Sequence, residues 1–349
     1  MKEIILTDNL VRNDLFPFAL TRHVAEIRIG ILTIREKWQQ LLNQPILLSS
    51  KESMSPDNIT VFPANLIPTK DFILSLSKGV GKNFSGELYK TAQYPWHIFQ
   101  LNDWAIRQDF ELVTSARISA AIPETVHVTN SRNIFIEEGA TLSGCTLNAS
   151  TGPIYIGRNA VIMEGSMIRG PLAICEGTIV KMGTKIYGAT TIGPYCTVGG
   201  EIKNSILFGY SNKSHDGYLG DAVVGEWCNL GAGTSNSNVK NNAGDVKVWN
   251  PLSNNWASAG MKCGLFMGDF SRSAINTSFN SGTVVGISSS VFGEGLTPAF
   301  IPSFSWGYKP LEKYDFDKAI RDISNWKKMK GKTVTQEEVI QLRNIFNQS

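Results

Sequence analysis

A period of six residues constrains this chain more than any other feature. Stepping by six from Ile156 gives Ile162, Ile168, Ile174, Val180, Ile186, Ile192 and Val198, eight aliphatics in succession. A helix buries residues three and four apart and an ordinary strand every second one, so neither explains this column. Four residues beyond each aliphatic stand Ala160, Ser166, Leu172, Thr178, Thr184, Thr190 and Cys196. All but Leu172 are small, as the inside of a tight corner requires. Each hexad then reads as one short strand and one turn, and three hexads close a triangular coil of about 18 residues. Stacked coils bury the aliphatic column and satisfy one another's backbone.

The period continues with slips of phase at Ile136 and Leu142, Val224 and Leu230, and Val285 and Val291. The slip between Val198 and Val224 predicts a bulge or excursion from the coil, where repeat proteins tend to carry their sites. A second excursion, rich in Asn and Trp, is expected over 238–264. The fold class that follows is mainly β: a left-handed parallel β-helix of hexapeptide repeats over 134–300. A small α/β domain is expected over 1–112, with a helix within His23 to Leu42, a strand over Ile59 to Leu66 and a helix over Trp96 to Thr114. A connector spans 113–133. A helical tail spans 301–349, where the repeat ends after Pro302 and Thr335 to Glu338 reads as a capping box opening the second of two helices.

Charged residues make up only 18% of the 349 positions and glycines number 32, which suits turns and stacked strands. The net charge of +3 gives no case for a nucleic-acid partner. Lys181, Lys185 and Lys203 instead form a local cluster suited to a small anionic ligand. The five cysteines, at 145, 175, 196, 228 and 263, include no CxxC pair, so reduced thiols are expected. No apolar stretch approaches membrane-spanning length and the first residues lack a signal-peptide core, so the expectation is a cytoplasmic protein without a membrane partner.

Chemistry-bearing residues concentrate after the first slip. His215, one of four histidines, stands in Lys213-Ser214-His215-Asp216-Gly217-Tyr218-Leu219-Gly220-Asp221; Glu201 and Lys203 precede it, and Asn229-Leu230-Gly231-Ala232-Gly233-Thr234 and Asn238 follow. This run resembles the acetyltransferase domain of the bifunctional GlmU family, in which glucosamine-1-phosphate N-acetyltransferases are joined to N-acetylglucosamine-1-phosphate uridylyltransferases. The family's H-x-x-Y-x-G-D and N-[IL]-G-A-G-T match His215, Tyr218, Gly220, Asp221 and Asn229 to Thr234, and its E-x-K matches Glu201 and Lys203.

The resemblance implies a general-base role for His215, taking a proton from a substrate amine as it attacks an acetyl thioester. It implies that Glu201 orients His215, and that Lys203, Tyr218, Asn229 and Lys185 bind an amino-sugar phosphate. Ala232, Gly233 and Asn238 would contact acetyl-CoA, with a backbone N–H of that loop available to an oxyanion. It further implies a homotrimer with sites between neighbouring coils and a place in UDP-N-acetylglucosamine biosynthesis. The sequence departs from the family's pattern in four places, one of them a longer excursion after Asn238. Lys185 is the nearest counterpart of a phosphate-binding arginine, Val239 replaces an aromatic, and the two C-terminal helices replace a basic tail.

Leu20-Thr21-Arg22-His23-Val24-Ala25-Glu26-Ile27 resembles a degenerate sugar-nucleotidyltransferase start. The first glycine is Gly30, so no glycine-rich phosphate loop precedes Arg22. Two alternatives to acetyl transfer therefore stand: a UTP-type nucleotidyltransferase needing Mg²⁺, should the N-terminal domain be active, and a non-catalytic sugar-nucleotide-binding or scaffold protein. Asp103 is a candidate metal carboxylate without an identifiable partner, and no metal ligand set is assigned. Arg22 and Arg28 fit either a nucleotide phosphate or domain-interface ion pairs. His23, His97 and His127 read as structural.

Overall fold

The computed structural model describes residues 3–51, 59–77 and 88–349. One circuit of the coil consists of Ile154–Ile156, Val161–Ile162 and Met167–Arg169. The next lays Leu172–Ile174, Ile179–Val180 and Lys185–Tyr187 on those three in parallel register. Repetition builds sheets of nine, ten and six strands around one core, parallel throughout except for Glu312–Lys313 at the end of the ten, which runs antiparallel. The fold is the expected mainly β, left-handed parallel β-helix. All eight aliphatics of the founding column are at most 2% exposed. Polar residues at the corners are satisfied across coils: the Thr178 hydroxyl donates to the Gly193 carbonyl at 2.9 Å and Ser166 to that of Lys181 at 3.0 Å.

The slip between Val198 and Val224 is absorbed without a loop. Register keeps Ile192, Leu207 and Val224 in one inward column, so the coil continues with shortened circuits. The change falls on the corners. Only Gly199 and Gly200 separate Thr197–Val198 from Glu201–Lys203, whereas Ser214 to Gly217 separate Asn212–Lys213 from Tyr218–Gly220. The second excursion does leave the coil, as an antiparallel hairpin of Lys247–Asn250 and Asn255–Ser258. Its base closes where the Cys263 N–H donates to the Asn238 carbonyl at 2.9 Å.

In the N-terminal unit, Glu3–Thr7 lies between two parallel neighbours, Leu47–Ser49 and Ile59–Pro63. The helix expected within His23 to Leu42 occupies only its end. A 3-10 turn at Val24–Glu26 precedes a break at Gly30, whose φ is +83° and where an added Cβ would meet Asp109 Oδ2 at 2.4 Å. Helix α1 (Ile34–Leu42) then starts from a capping box of Thr33 and Glu36. The strand expected over Ile59 to Leu66 ends at Pro63, and Leu66–Pro68 pairs separately with Tyr89–Thr91. After α2 (Lys70–Ser77), the helix expected over Trp96 to Thr114 is two, α3 (Pro95–Gln100) and α4 (Asn102–Thr114), meeting at Leu101.

This unit packs on the nine-stranded sheet, whose outward column here is apolar but for one threonine: Ala173, Thr191, Ile206, Val223, Phe266 and Val284. Phe18 meets Phe208 edge-on at 5.2 Å, and Val246, Val248 and Ala259 of the excursion join the same core. Asn102 ties the interface polar groups together, donating to the Ala189 carbonyl at 2.8 Å and accepting from the Gly30 N–H at 2.7 Å and the Thr191 hydroxyl at 3.1 Å.

Strand His127–Thr129, within the stretch expected as a connector, already pairs into the six-stranded sheet. At the other end, the coil outlasts Pro302: Ser305–Trp306 still pairs with the ten-stranded sheet. Helices α5 (Phe316–Met329) and α6 (Gln336–Gln348) follow, α6 opened by the Thr335–Glu338 capping box. They cover a corner at which several left-handed positions are aromatic, among them Trp227, Phe270 and Phe304. All five cysteines are buried free thiols. No described helix is long and apolar enough to cross a membrane.

Candidate functional site

The six-stranded sheet presents two outward columns on adjacent rungs. Lys185, Glu201 and Tyr218 form one, and Tyr187, Lys203 and Gly220 the other, while Ile186, Ile202 and Leu219 between them point into the core. Tyr187 donates to Glu201 Oε1 at 2.6 Å, and Lys203 Nζ lies 5.9 Å from the Tyr187 ring centroid. Neither Lys185 nor Lys203 has a hydrogen-bonded or ion-paired partner among the described residues. Two free ammoniums on neighbouring rungs suit an anion.

Asn238 Nδ2 donates to the Tyr218 hydroxyl at 3.3 Å and also bonds Asp221, whose other oxygen accepts from Asn204 Nδ2 at 2.6 Å. Burial, reinforced by the Asp221 charge, pushes the Tyr218 phenol up to about 12. The phenol therefore stays protonated and keeps a proton to donate.

His215 stands exposed at the corner that joins this sheet to the ten-stranded one. Its ring makes no hydrogen bond among the described residues, and its backbone carbonyl accepts from Lys213 Nζ at 2.8 Å. The corner carrying Ala232 and Gly233 stacks directly on it, with the Gly233 N–H donating to the Asp216 carbonyl at 3.0 Å. The approach is close enough that a Cβ on Gly217, whose φ is +122°, would meet the Thr234 carbonyl oxygen at 2.1 Å. Asn229 lies on the ten-stranded sheet, one rung from Asn212.

The structure thus distributes the candidate residues around one edge. Lys185, Glu201, Lys203, Tyr218 and Asn238 lie on one side, Asn229 on the other, and His215, Ala232 and Gly233 along the ridge. Glu201 directs its carboxylate to Tyr187, and no bond joins it to His215. The ridge is convex within one chain. Cavities of about 380 and 310 Å³ lie elsewhere, one between α1, α4 and Pro68 to Lys70, the other where Arg22 meets Glu226, Asp269 and α6.

Residues outside the motif resolve into structural roles. Arg22 bonds Asp269 and lies 3.6 Å from Glu226, so it ties the N-terminal unit to the coil. Arg28 bonds the Ile31 carbonyl and approaches Glu36 at 3.6 Å. His23 caps its 3-10 turn, accepting from the Ala25 N–H at 3.2 Å, and His97 accepts from the Gln93 N–H at 3.2 Å. Asp103 pairs with Arg107 at 2.6 Å.

Two features lay outside the sequence reading. Lys37 and Asp109 form a buried ion pair, and Asp109 also accepts from the Ile31 and Leu32 N–H groups at 2.8 and 3.1 Å. Lys213 is 2% exposed, inside the coil. For Lys213 a signal did exist: it stands six residues after Leu207 and six before Leu219, in an inward phase whose flanking members are aliphatic.

These elements define a class: a left-handed β-helix with an α/β unit fastened along one face and an exposed histidine on a corner. Comparison with known proteins is more particular. A family model described as Sugar nucleotidyl transferase matches residues 4–68. The bifunctional protein GlmU of Synechococcus elongatus is 30% identical over 154 residues, covering 40% of this chain and 33% of that protein. GlmU of Methanococcus maripaludis is 26% identical over 257 residues, covering 71% of this chain and 56% of its own. Among solved structures, the UDP-N-acetylglucosamine acyltransferase of Francisella novicida aligns with 66% of this chain and 85% of its own at 10% identity and a TM-score of 0.36. The chain is similar to GlmU proteins, and it spans about a third to just over half the length of those it matches.

Proposed function

We propose that this protein transfers an acetyl group from acetyl-CoA to the amine of an amino-sugar phosphate, with His215 as general base. The observation that carries the reading is His215 itself: an exposed imidazole with both ring nitrogens unengaged, on a ridge between two unpaired lysines and a stack of corner amides. Lys203 and Lys185 hold the phosphate, and Tyr218 and Asn229 orient the sugar. The neutral amine attacks the thioester carbon, His215 takes the proton that the nitrogen sheds on forming the C–N bond, the C–S bond breaks, and the departing CoA thiolate recovers that proton from the imidazolium. The Ala232–Gly233 corner and Asn238 contact the acetyl donor, and a corner N–H is available to the developing oxyanion.

Glu201 acts on this site through Tyr187 and the face it orders, since its carboxylate is committed there. A convex ridge cannot enclose two ligands, and Asn229 faces away from Lys203 and Tyr218. The reading therefore includes a second copy of the chain, in a homotrimer, closing the cleft against the open faces. Three copies arranged this way bring Asn229 of one chain to the His215 ridge of the next.

Replacing His215 with Ala tests the reading. Thiol release with an amino-sugar phosphate acceptor is expected to fall about 10²- to 10⁴-fold while acceptor binding persists. Mixed assemblies of His215→Ala and Asn229→Ala chains are expected to regain part of the activity. Undiminished release by His215→Ala would exclude the general-base role.

A second reading, nucleotidyl transfer by the N-terminal unit, has the family match over 4–68 in its favour. Among the described residues no group of three or more His, Cys, Asp or Glu side chains is placed to hold a metal ion. No step through Mg²⁺ is therefore derived, and pyrophosphate release from a sugar phosphate and UTP is the measurement that would revive this reading.

A further inference from the structure

The inward column of the ten-stranded sheet runs Val180, Val198, Lys213 and Leu230. Val198 is 0% exposed and Leu230 3%, so the slot between them is core, yet a lysine fills it. No carboxylate bonds its ammonium. Its partners are two backbone carbonyls, those of Gly199 at 3.1 Å and His215 at 2.8 Å. A buried, unpaired ammonium is costly, and the neighbouring rungs show that an aliphatic fits. A residue that breaks the local rule at such cost, directly beneath a candidate site, calls for a compensating role.

The backbone supplies one. Along this edge, corners are joined to one another by N–H to carbonyl bonds. Gly165 donates to Gly144 at 2.9 Å and Gly183 to Glu164 at 3.0 Å below; Gly233 donates to Asp216 at 3.0 Å and Asn276 to Ala232 at 2.7 Å above. Between these, the two-residue corner Gly199–Gly200 lies beneath the four-residue corner Ser214–Gly217, and the lengths cannot match. The Gly199 N–H makes the same rung-to-rung bond as Lys181 does to Val198, here to the Lys213 carbonyl at 2.6 Å; above, Gly233 bonds Asp216 and not the residue before it, so no backbone donor reaches the carbonyl of His215. Lys213 Nζ spans the mismatch, with one bond to each corner.

We propose that Lys213 is a positioning residue, an internal strut that fixes the overhanging corner and with it the imidazole of His215. The proposal rests on the acyl-transfer reading for its kinetic consequence, not for its structural one. A base displaced by about 1 Å from its working position loses much of its rate while the substrates still bind.

The test is Lys213→Met in the full-length protein, with Lys213→Leu as a second variant. Both remove a buried charge from an apolar column, so the thermal midpoint is expected to rise. The amide protons of Glu201 and Gly233, bonded to the corner carbonyls of Gly217 and Asp216, are expected to exchange faster even so. With an acceptor in hand, kcat is expected to fall roughly 10-fold or more, with both KM values within about 2-fold. A purely structural lysine would move stability and activity together, not in opposite directions. Wild-type exchange at Glu201 and Gly233 in both variants would overturn the strut. Absence of thiol release by the wild-type protein with every acceptor would sink the acyl-transfer reading instead, and leave the exchange result to decide the role of Lys213.

Discussion

At the scale of single residues, the two charges least legible in the sequence are two of the buried lysines, Lys37 and Lys213. Lys37 sits in the core because Asp109 and two backbone N–H groups around it make a complete network. Lys213 has no such carboxylate, and burial pulls its ammonium from 10.5 down to about 8, opposed only by Asp216. The other titratable group on its corner is His215, and the adjoining strands Thr197–Val198 and Asn229–Leu230 bring none. The unfolded chain thus binds the proton more tightly than the folded one. The penalty, on the order of 3 kcal/mol, is fully present below about pH 8 and fades as pH rises towards 10.5. Urea unfolding of wild type and Lys213→Met across that range checks the sign: the variant's stability advantage is expected to shrink with rising pH, and a gap that stays constant contradicts it.

At the scale of elements, the corners decide what the strands cannot. The hexad column of Ile156 to Val198 announced the coil because every sixth side chain has to be apolar to share one core. The run around His215 marked a candidate site by a different route, its resemblance to a family motif. What spacing could not reveal was where a phase slip would be taken up, because a lost residue can be absorbed by a loop or by a shorter turn. Here it went into the Gly199–Gly200 corner. Nor could it reveal that Glu201 would face Tyr187 rather than His215, which depends on the register of two strands. Gly217 measures how tightly the ridge is stacked. At φ +122° with the Thr234 carbonyl where a Cβ would go, Gly217→Ala forces the His215 corner away from the Ala232 corner. A loss of about 1–3 kcal/mol in unfolding free energy is expected, together with weakened acetyl-CoA binding by calorimetry. An alanine variant with wild-type binding would show that the two corners act independently.

At the scale of the whole molecule, one side and two corners of the coil have been assigned different work. The nine-stranded side is largely apolar outward and carries the N-terminal unit, the aromatic corner carries α5 and α6, and the ridge of His215 is left clear. Stacked-repeat proteins hold together through nearest neighbours alone, and so can fray from either end rung by rung. This chain has fastened a splint along its length. Asn102 grips Ala189 and Thr191 near the middle, Phe18 reaches Phe208 and Phe266, and the hairpin of 247–258 is clamped from the far side, its Asn250 amide donating to the Asn13 carbonyl at 3.0 Å. Rungs far apart in the stack therefore let go together. Melting should follow one sharp transition reported alike by tryptophan fluorescence and by labelling of the five sequestered thiols. A staggered release of those thiols, one coil after another, would mean that the splint bears no strain.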